Sequence, residues 1–397
     1  MATDKLRAWW AHRQGLDGSL HGSSAADVLE RTGWMRSVGG SAPYLGLFAR
    51  ARLDRETVDA DVARLAIHEL PSARGCTYVL PSADFELGLT VGAGAPAGEL
   101  AAAEKYLGVT QAEIEQLCVT VAELLDASDE PLGPPAIKDA AGAAVRNLGE
   151  AGRKRGTTTT LPLALGLLQA RGDIRRVPVN GRLDQQRYGY VRWTPSPRGG
   201  LSDMDTARIE LARRYFSWAA PASLKHFRWF SGFTAASVKK IAEQLELVPL
   251  DGTDLVLPKE LADDFAAFTV PPEPSYALLA GVDGIHLLHR EMSRLLVDAD
   301  VERPVPGGRP GETLGGQADP PSHVIFDRGR IAGLWEFDTE AGKIVHRFFG
   351  DEDAALRETI AKTEEFVRDQ LGDARSFSLD SPKSRASRVA DLRPSPR

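Results

Sequence analysis

A carboxylate beside an imidazole, His68-Glu69, opens a strand-like run of the chain, and a carboxylate shielded from water can act as a general base or stabilise a developing cation. The plainer readings are a strand carboxylate at the surface and a histidine with a structural partner. Upstream, Ser37 and Ser41 flank Gly39-Gly40. Their hydroxyls can donate and accept hydrogen bonds, but serine is a weak base at its ordinary pKa. Asp283, His286, His289, Arg290 and Glu291 form a polar cluster with the two histidines three residues apart. A metal site needs a further ligand, which no spacing supplies, so no metal is assigned. Cys76 and Cys118 are the only cysteines and stand in no CxxC or His-containing cluster, which argues against a disulfide framework and a zinc site. Phosphate-loop, dinucleotide-fingerprint, GxSxG and HExxH patterns are missing, so nucleotide hydrolysis, dinucleotide redox and zinc proteolysis have no support. No organic cofactor is implied, and no motif places a lysine for Schiff-base chemistry.

Charge is unevenly spread. The 397 residues carry a formal net charge of −7, yet Pro134–Gly200 holds twelve Lys and Arg against four acids, and Arg375–Arg397 holds six against two. A basic island on an acidic body is a phosphate-facing surface or a set of solvated helix faces. Read as a surface for double-stranded DNA, it takes in Arg153, Lys154, Arg155 and Thr157 near a helix start, and Arg175, Arg176 and Arg182 around a hairpin. Lys239 and Lys240 further along the chain, Arg36 and Ser41 beside the glycines, Arg74 at a turn, and His289 with Arg290 complete the expected contacts. Most tryptophans read as core anchors; Trp34, next to the serine-glycine segment, is the one placed to stack on a base.

The elements that would position these groups follow from periodicity. Helical spacing over 6–14, 24–31 and 55–67 precedes two strand-like runs, 68–71 and 76–81, joined through Gly75. Three helices and a hairpin is the winged-helix order. Further helices are predicted over 84–89, 97–107 and 110–127. The order recurs with helices over 135–141, 145–151 and 160–171, then strands 174–179 and 187–193 across Asn180-Gly181. It recurs again with helices over 205–218, 223–231 and 234–245, the last capped by Thr234, and strands 247–250 and 254–258. A three-stranded meander over 322–349 and a helix over 354–371 follow. The expectation is an α+β protein: winged-helix units over 1–130, 131–200 and 201–270, a small β domain over 271–375, and a disordered tail over 376–397. With no apolar run of membrane-spanning length and no signal peptide, a cytoplasmic monomer without membrane contact is expected.

Read together, LRAWWAHRQGL, GSAPYLGLFARA, HELPSARGCTYVLPSADF, SLKHFRWFSGFTAASVKK, YALLAGVDGIHLLHREMSRLL and FDRGRIAGLWEFD resemble the AlkZ/YcaQ-type winged-helix DNA glycosylases over roughly residues 5–370. The resemblance implies three tandem winged helices with a barrel-like C-terminal β domain, binding duplex DNA in a concave face. It implies hydrolysis of the N-glycosidic bond of alkylated or crosslinked purines by water. The family signature, Gln-apolar-Gln or Gln-apolar-Asp, falls just before the segment reading Pro43-Tyr44-Leu45-Gly46-Leu47. Here Met35 and Ser37 occupy those positions if one residue is gapped, and Arg36 and Val38 if none is. Three readings follow: a glycosylase whose water is held by Ser37, His68 and Glu69; a DNA-binding protein without excision, acting in lesion binding or regulation; or the fold reused for another ligand.

Overall fold

Hairpins appear where the strand-like runs place them, and each follows a group of helices. The structure is a computed structural model that describes residues 3–199 and 203–393; residues 1, 2, 200–202 and 394–397 lie outside it. In the first region, β1 (Met35–Arg36), β2 (Ile67–Pro71) and β3 (Thr77–Pro81) make an antiparallel sheet in the order β1-β3-β2. The two-residue β1 is too short for a periodicity signal. Helices Ala25–Thr32, Ala42–Ala51 and Arg55–Ala63 pack on this sheet, while Thr3–Arg13 packs on the C-terminal sheet and helix Met204–Ala219. Ser24 starts helix Ala25–Thr32 through a reciprocal capping box with Asp27.

The next hairpin pairs β4 (Ile174–Pro178) with β5 (Tyr188–Arg192), after helices Pro134–Ala141, Gly149–Arg153 and Leu161–Arg171. Asn180-Gly181 does not close a two-residue turn as the dipeptide predicts. Pro178 pairs with Tyr188, so residues 179–187 form a wide connection. Its Leu183 is fully buried in the core of the first region, where its backbone N–H meets the Tyr44 hydroxyl at 3.0 Å. Apolar burial of that loop overrides the local turn preference. The third hairpin, β6 (Leu247–Pro249) and β7 (Val256–Pro258), follows helices Met204–Ala219, Leu224–Ser231 and Ala235–Ala242, the last capped by Thr234 as its position predicts.

The C-terminal sheet has the order β11-β10-β9-β8, built from β8 (Tyr276–Leu279), β9 (His323–Asp327), β10 (Arg330–Asp338) and β11 (Lys343–Phe348). β8 adds a fourth strand to the predicted meander. Among the described residues this sheet is open, with β8 and β11 at its edges, and does not close into the barrel-like domain expected from the resemblance. The segment expected as a disordered tail folds: helix Pro382–Leu392 packs against β10, with Leu392 and Arg385 buried. Its charge reads as solvating by composition, but the two arginines of the helix are paired, Arg385 to Asp373 and Arg388 to Glu336 at 2.8 Å each. Burial of charge is tolerable when each cation meets a carboxylate.

Hydrophobic cores tie distant parts of the chain together. One joins helices 25–32 and 42–51 to the C-terminal sheet and helix Ala354–Phe366; another joins the first hairpin to helices 204–219 and 224–231. The second hairpin region keeps a core of its own with helices Pro96–Leu107 and Gln111–Asp126. Across the first junction lies a buried two-pronged ion pair, Arg50 with Asp283 at 2.7 and 2.8 Å, which explains Asp283 in the polar cluster as a structural residue.

Candidate active site and nucleic-acid interface

The first hairpin faces the second across a cleft. On β2, neighbouring side chains point to opposite faces, and this separates His68 from Glu69. Glu69 pairs in register with Val79, which also pairs with Met35, so Glu69 and Met35 lie in one row across the sheet. Ser37, two residues beyond Met35, shares their face. Its Oγ donates to Glu69 Oε1 at 2.5 Å, and its backbone N–H donates to the Thr77 carbonyl at 3.1 Å. Ser37 and Glu69 are 2% and 3% exposed. Glu69 Oε2 and the Tyr188 hydroxyl from β5 are both buried, and the polar neighbour each has is the other: the Tyr188 hydroxyl interacts with the Glu69 carboxylate, and neither atom has another partner among the described residues. Burial and the nearby Glu69 charge raise the Tyr188 pKa above its ordinary value. Tyr188 was not singled out from sequence; its position in the alternating Tyr188-Gly189-Tyr190 run of the basic hairpin is the only signal that could have found it.

His68 goes the other way. Its ring meets Trp193 and Phe85 edge-on, at 5.1 and 6.0 Å between ring centres. Burial, then the neighbouring Arg175 and Arg176, pull its pKa down to about 3. It is a neutral core side chain at neutral pH and not a member of the Ser37–Glu69 pair, which corrects its expected place in the site. Met35 is buried in the core, its methyl and sulfur against Gly46. Trp34 is closed to a base as well: it is buried against Trp218, Tyr78 and Phe230, and its Nε1 donates to Asp84 at 2.8 Å.

Among the expected DNA contacts the structure distinguishes free cations from committed ones. Arg175 is half-buried with no ion-pair or hydrogen-bond partner among the described residues, and burial lowers its pKa. Arg176 donates to Gln169 at 2.5 Å and lies 5.1 Å from the Tyr188 ring centre. Arg176, Tyr190, Gln169 and Thr77 line one end of a cavity of about 720 Å3 between the two hairpin regions; Ser37 and Glu69 lie outside its lining. Arg153, Lys239 and Lys240 are exposed, and Thr157 is half-exposed. Lys154 pairs with Glu150 at 2.9 Å, and Arg155 covers the Tyr106 ring at 3.8 Å. Arg36 donates to the Thr77 carbonyl at 3.3 Å. Arg74 and Arg290 sandwich the Trp229 ring at 4.0 and 4.2 Å, with Arg290 also paired to Asp319 at 2.9 Å.

Three of the expected contacts are corrected. His289 is buried, with Nδ1 and Nε2 each 2.8 Å from a backbone carbonyl, of Ile285 and Ala219, so no ring edge remains for DNA. Ser41 is buried and donates to the Arg375 carbonyl. Arg182 is held by Asp184 at 2.5 Å and by the Leu371 carbonyl at 2.9 Å, because its wide loop docks on the protein instead of projecting as a wing tip. No helix among the described residues is long and apolar enough to cross a membrane.

The result is a mixed helix-and-sheet fold in which a basic hairpin borders the cavity and the buried Glu69 carboxylate lies outside its lining. A sequence model of the AlkZ-like DNA glycosylases matches residues 29–366, and the chain belongs to that family. It is 24% identical over 337 residues to an interstrand DNA cross-link repair glycosylase of Streptomyces sahachiroi, covering 83% of this chain and 86% of that protein. The solved structure of the S. sahachiroi DNA glycosylase AlkZ superposes with a TM-score of 0.69 at 21% identity, covering 94% of this chain and 98% of the other, and shares its fold.

Proposed function

We propose that the protein is a monofunctional DNA glycosylase that hydrolyses the N-glycosidic bond of alkylated purines, crosslinked ones included, with Glu69 and Ser37 in place of the family's polar pair. The observation that carries this reading is the buried Glu69 carboxylate, one oxygen held by Ser37 and the other facing only the Tyr188 hydroxyl. Ser37 fixes the carboxylate, and Glu69 Oε2, shared only with the Tyr188 hydroxyl, is the acceptor for a water O–H. As the C1′–N bond breaks, its electron pair leaves with the purine; an alkylated, cationic purine departs neutral and needs no added proton. The water oxygen bonds to C1′ and its proton passes to Glu69, whose negative charge also favours the cationic sugar of the transition state. Because both groups are closed to solvent in the free protein, the cleft between the hairpins opens as the nucleotide is taken up. Relatives in the family support the substrate class, since the S. sahachiroi protein acts on interstrand crosslinks by its name.

The test is base release from duplex DNA carrying 7-methylguanine, by wild type and by Glu69→Gln, with binding followed in parallel. Release that disappears in the variant while binding persists is the expected result. Release unaffected by the substitution would remove Glu69 from the chemistry. One observation favours a second reading: Met35, buried against Gly46, cannot hold a water. Under that reading the protein binds DNA without excision, and wild type itself would bind without releasing base.

A further inference from the structure

Beyond residue 366, where the family match ends, the chain crosses back over the Ser37 loop before forming its last helix. The Arg375 carbonyl accepts from both the backbone N–H and the hydroxyl of Ser41, at 2.9 and 3.1 Å, and Ser378 N–H donates to the Val38 carbonyl at 3.0 Å. Gly39 and Gly40 permit this crossing. A Cβ on Gly40 would come within 2.3 Å of the Ser376 carbonyl oxygen, and Gly39 has φ +72°.

Having crossed, the segment turns sharply over 376–381. Asp380 N–H donates to the Phe377 carbonyl, Ser381 N–H to the Leu379 carbonyl, and Ser376 N–H to Asp380 Oδ2, each at 3.0 Å. Asp380 is buried and grips Arg388 at 2.9 Å; Arg388 in turn holds the buried Glu336 of β10 at 2.8 Å. The turn is therefore braced from below through two buried carboxylates. Its two apolar side chains point away from that brace: Phe377 is 45% exposed, and Leu379, at 82%, is the most exposed large apolar side chain among the described residues. Single apolar residues on a surface are ordinary. A braced pair, one residue removed from a strand of contacts to the loop that carries Ser37, is not explained by folding.

We propose that Phe377 and Leu379 form an apolar wedge that enters the base stack of duplex DNA beside the target nucleotide. The inference rests on the glycosylase reading above. An enzyme acting at C1′ of a base-paired nucleotide must draw it out of the stack, and rigidly held apolar side chains inserted at a base step are one way to compensate the lost stacking. Two features favour DNA as the occupant. The turn adjoins the proposed reaction loop, and the second hairpin places a cation on the same loop: Gln186 packs on Gly39, and the adjoining Arg187 is exposed with no ion pair among the described residues. An apolar wedge with a free guanidinium nearby matches a base step next to a phosphate.

The test uses the full chain, a duplex with 7-methylguanine next to 2-aminopurine, and the variants Phe377→Ser/Leu379→Ser, Leu379→Ser and, as a control elsewhere on the surface, Val119→Ser, which is 50% exposed. Wild type and control should raise 2-aminopurine fluorescence on saturation and release 7-methylguanine at equal rates. The double variant should lose most of the fluorescence rise and release base about tenfold more slowly, with affinity for undamaged duplex preserved. Leu379→Ser, at a side chain that packs on little, keeps the test informative should the double variant melt early. Equal fluorescence and equal release in wild type and variants overturn the wedge while leaving the glycosylase reading intact. A dimer that the double variant converts to a monomer also overturns it, making the patch a contact between copies. Failure of wild type to bind or release anything defeats the glycosylase reading itself, and the wedge with it.

Discussion

Four of five residues are buried in each of β2 and β3, whereas three of five are only part-buried in each of β4 and β5. The first hairpin gains β1 as a third strand and is covered by helices Phe85–Gly92 and Met204–Ala219; the second remains a two-stranded ribbon beside its own small core. Similar sequence patterns thus end in different dielectric surroundings. A carboxylate on the first hairpin is held dry, where its second oxygen faces only the Tyr188 hydroxyl and an unmet acceptor is costly. An arginine on the second, such as Arg175, stays only part-buried. On the proposed reading, chemistry falls to the first hairpin and grip on DNA to the second.

That division is open to direct attack. The largest effect should come from Glu69→Gln, which keeps shape and removes the base: turnover should fall by about 10²- to 10⁴-fold in single-turnover base release, with duplex affinity unchanged. Ser37→Ala leaves Glu69 Oε1 without its donor and should slow release by about tenfold, a loss of roughly one hydrogen bond to a charged group. A variant as fast as wild type would show that Glu69 is positioned by something else. On the second hairpin, Arg175→Ala should make the plot of log affinity against log salt shallower by about one, while Arg182→Ala, whose cation is spent on Asp184, should leave the slope alone and lower the melting temperature. Equal changes of slope in both would erase the distinction between free and committed cations.

The smallest effect concerns His68. Burial holds its pKa near 3 in the folded chain against 6.5 for the ordinary group. Between those values the unfolded chain binds a proton that the folded chain refuses, so His68 makes stability fall as pH drops from about 6.5 toward 3. His68→Phe, which keeps an aromatic against Trp193 and Phe85, should lose less melting temperature between pH 7 and pH 5 than wild type does. Parallel losses would mean that other groups, such as the buried His289 held near 4, dominate the acid limb.

Much of the architecture was open to reading along the chain. Thr234 as a cap and the three strands of the meander, β9 to β11, are local signals with local causes, and they hold in the folded protein. The candidate site was half visible. Ser37 and Glu69 were named, but nothing along the sequence brings residues 32 positions apart to 2.5 Å; β3 does so by pairing with β1 on one side and β2 on the other. His68 could not be told from Glu69 by proximity in sequence, because a strand sends neighbours to opposite faces. The basic island was read by counting, and counting cannot tell Arg175 from Arg182, since the carboxylate that commits an arginine is visible only once the chain has folded.

Residue type and order by themselves determined most of the helices, the hairpin strands, the excess of cations over 134–200 and the family likeness, since each depends on nearest neighbours or on a running pattern; helix Ala42–Ala51 and the wide connection 179–187 are not among them. Tertiary structure alone decided which charges stay free, which carboxylate is dry, and that the C-terminal segment folds back over Gly39 and Gly40 instead of trailing into solvent. Those outcomes are set by burial and by partners hundreds of residues away: the Ser41 hydroxyl finds the Arg375 carbonyl across 334 positions, and only the packed chain can make that bond.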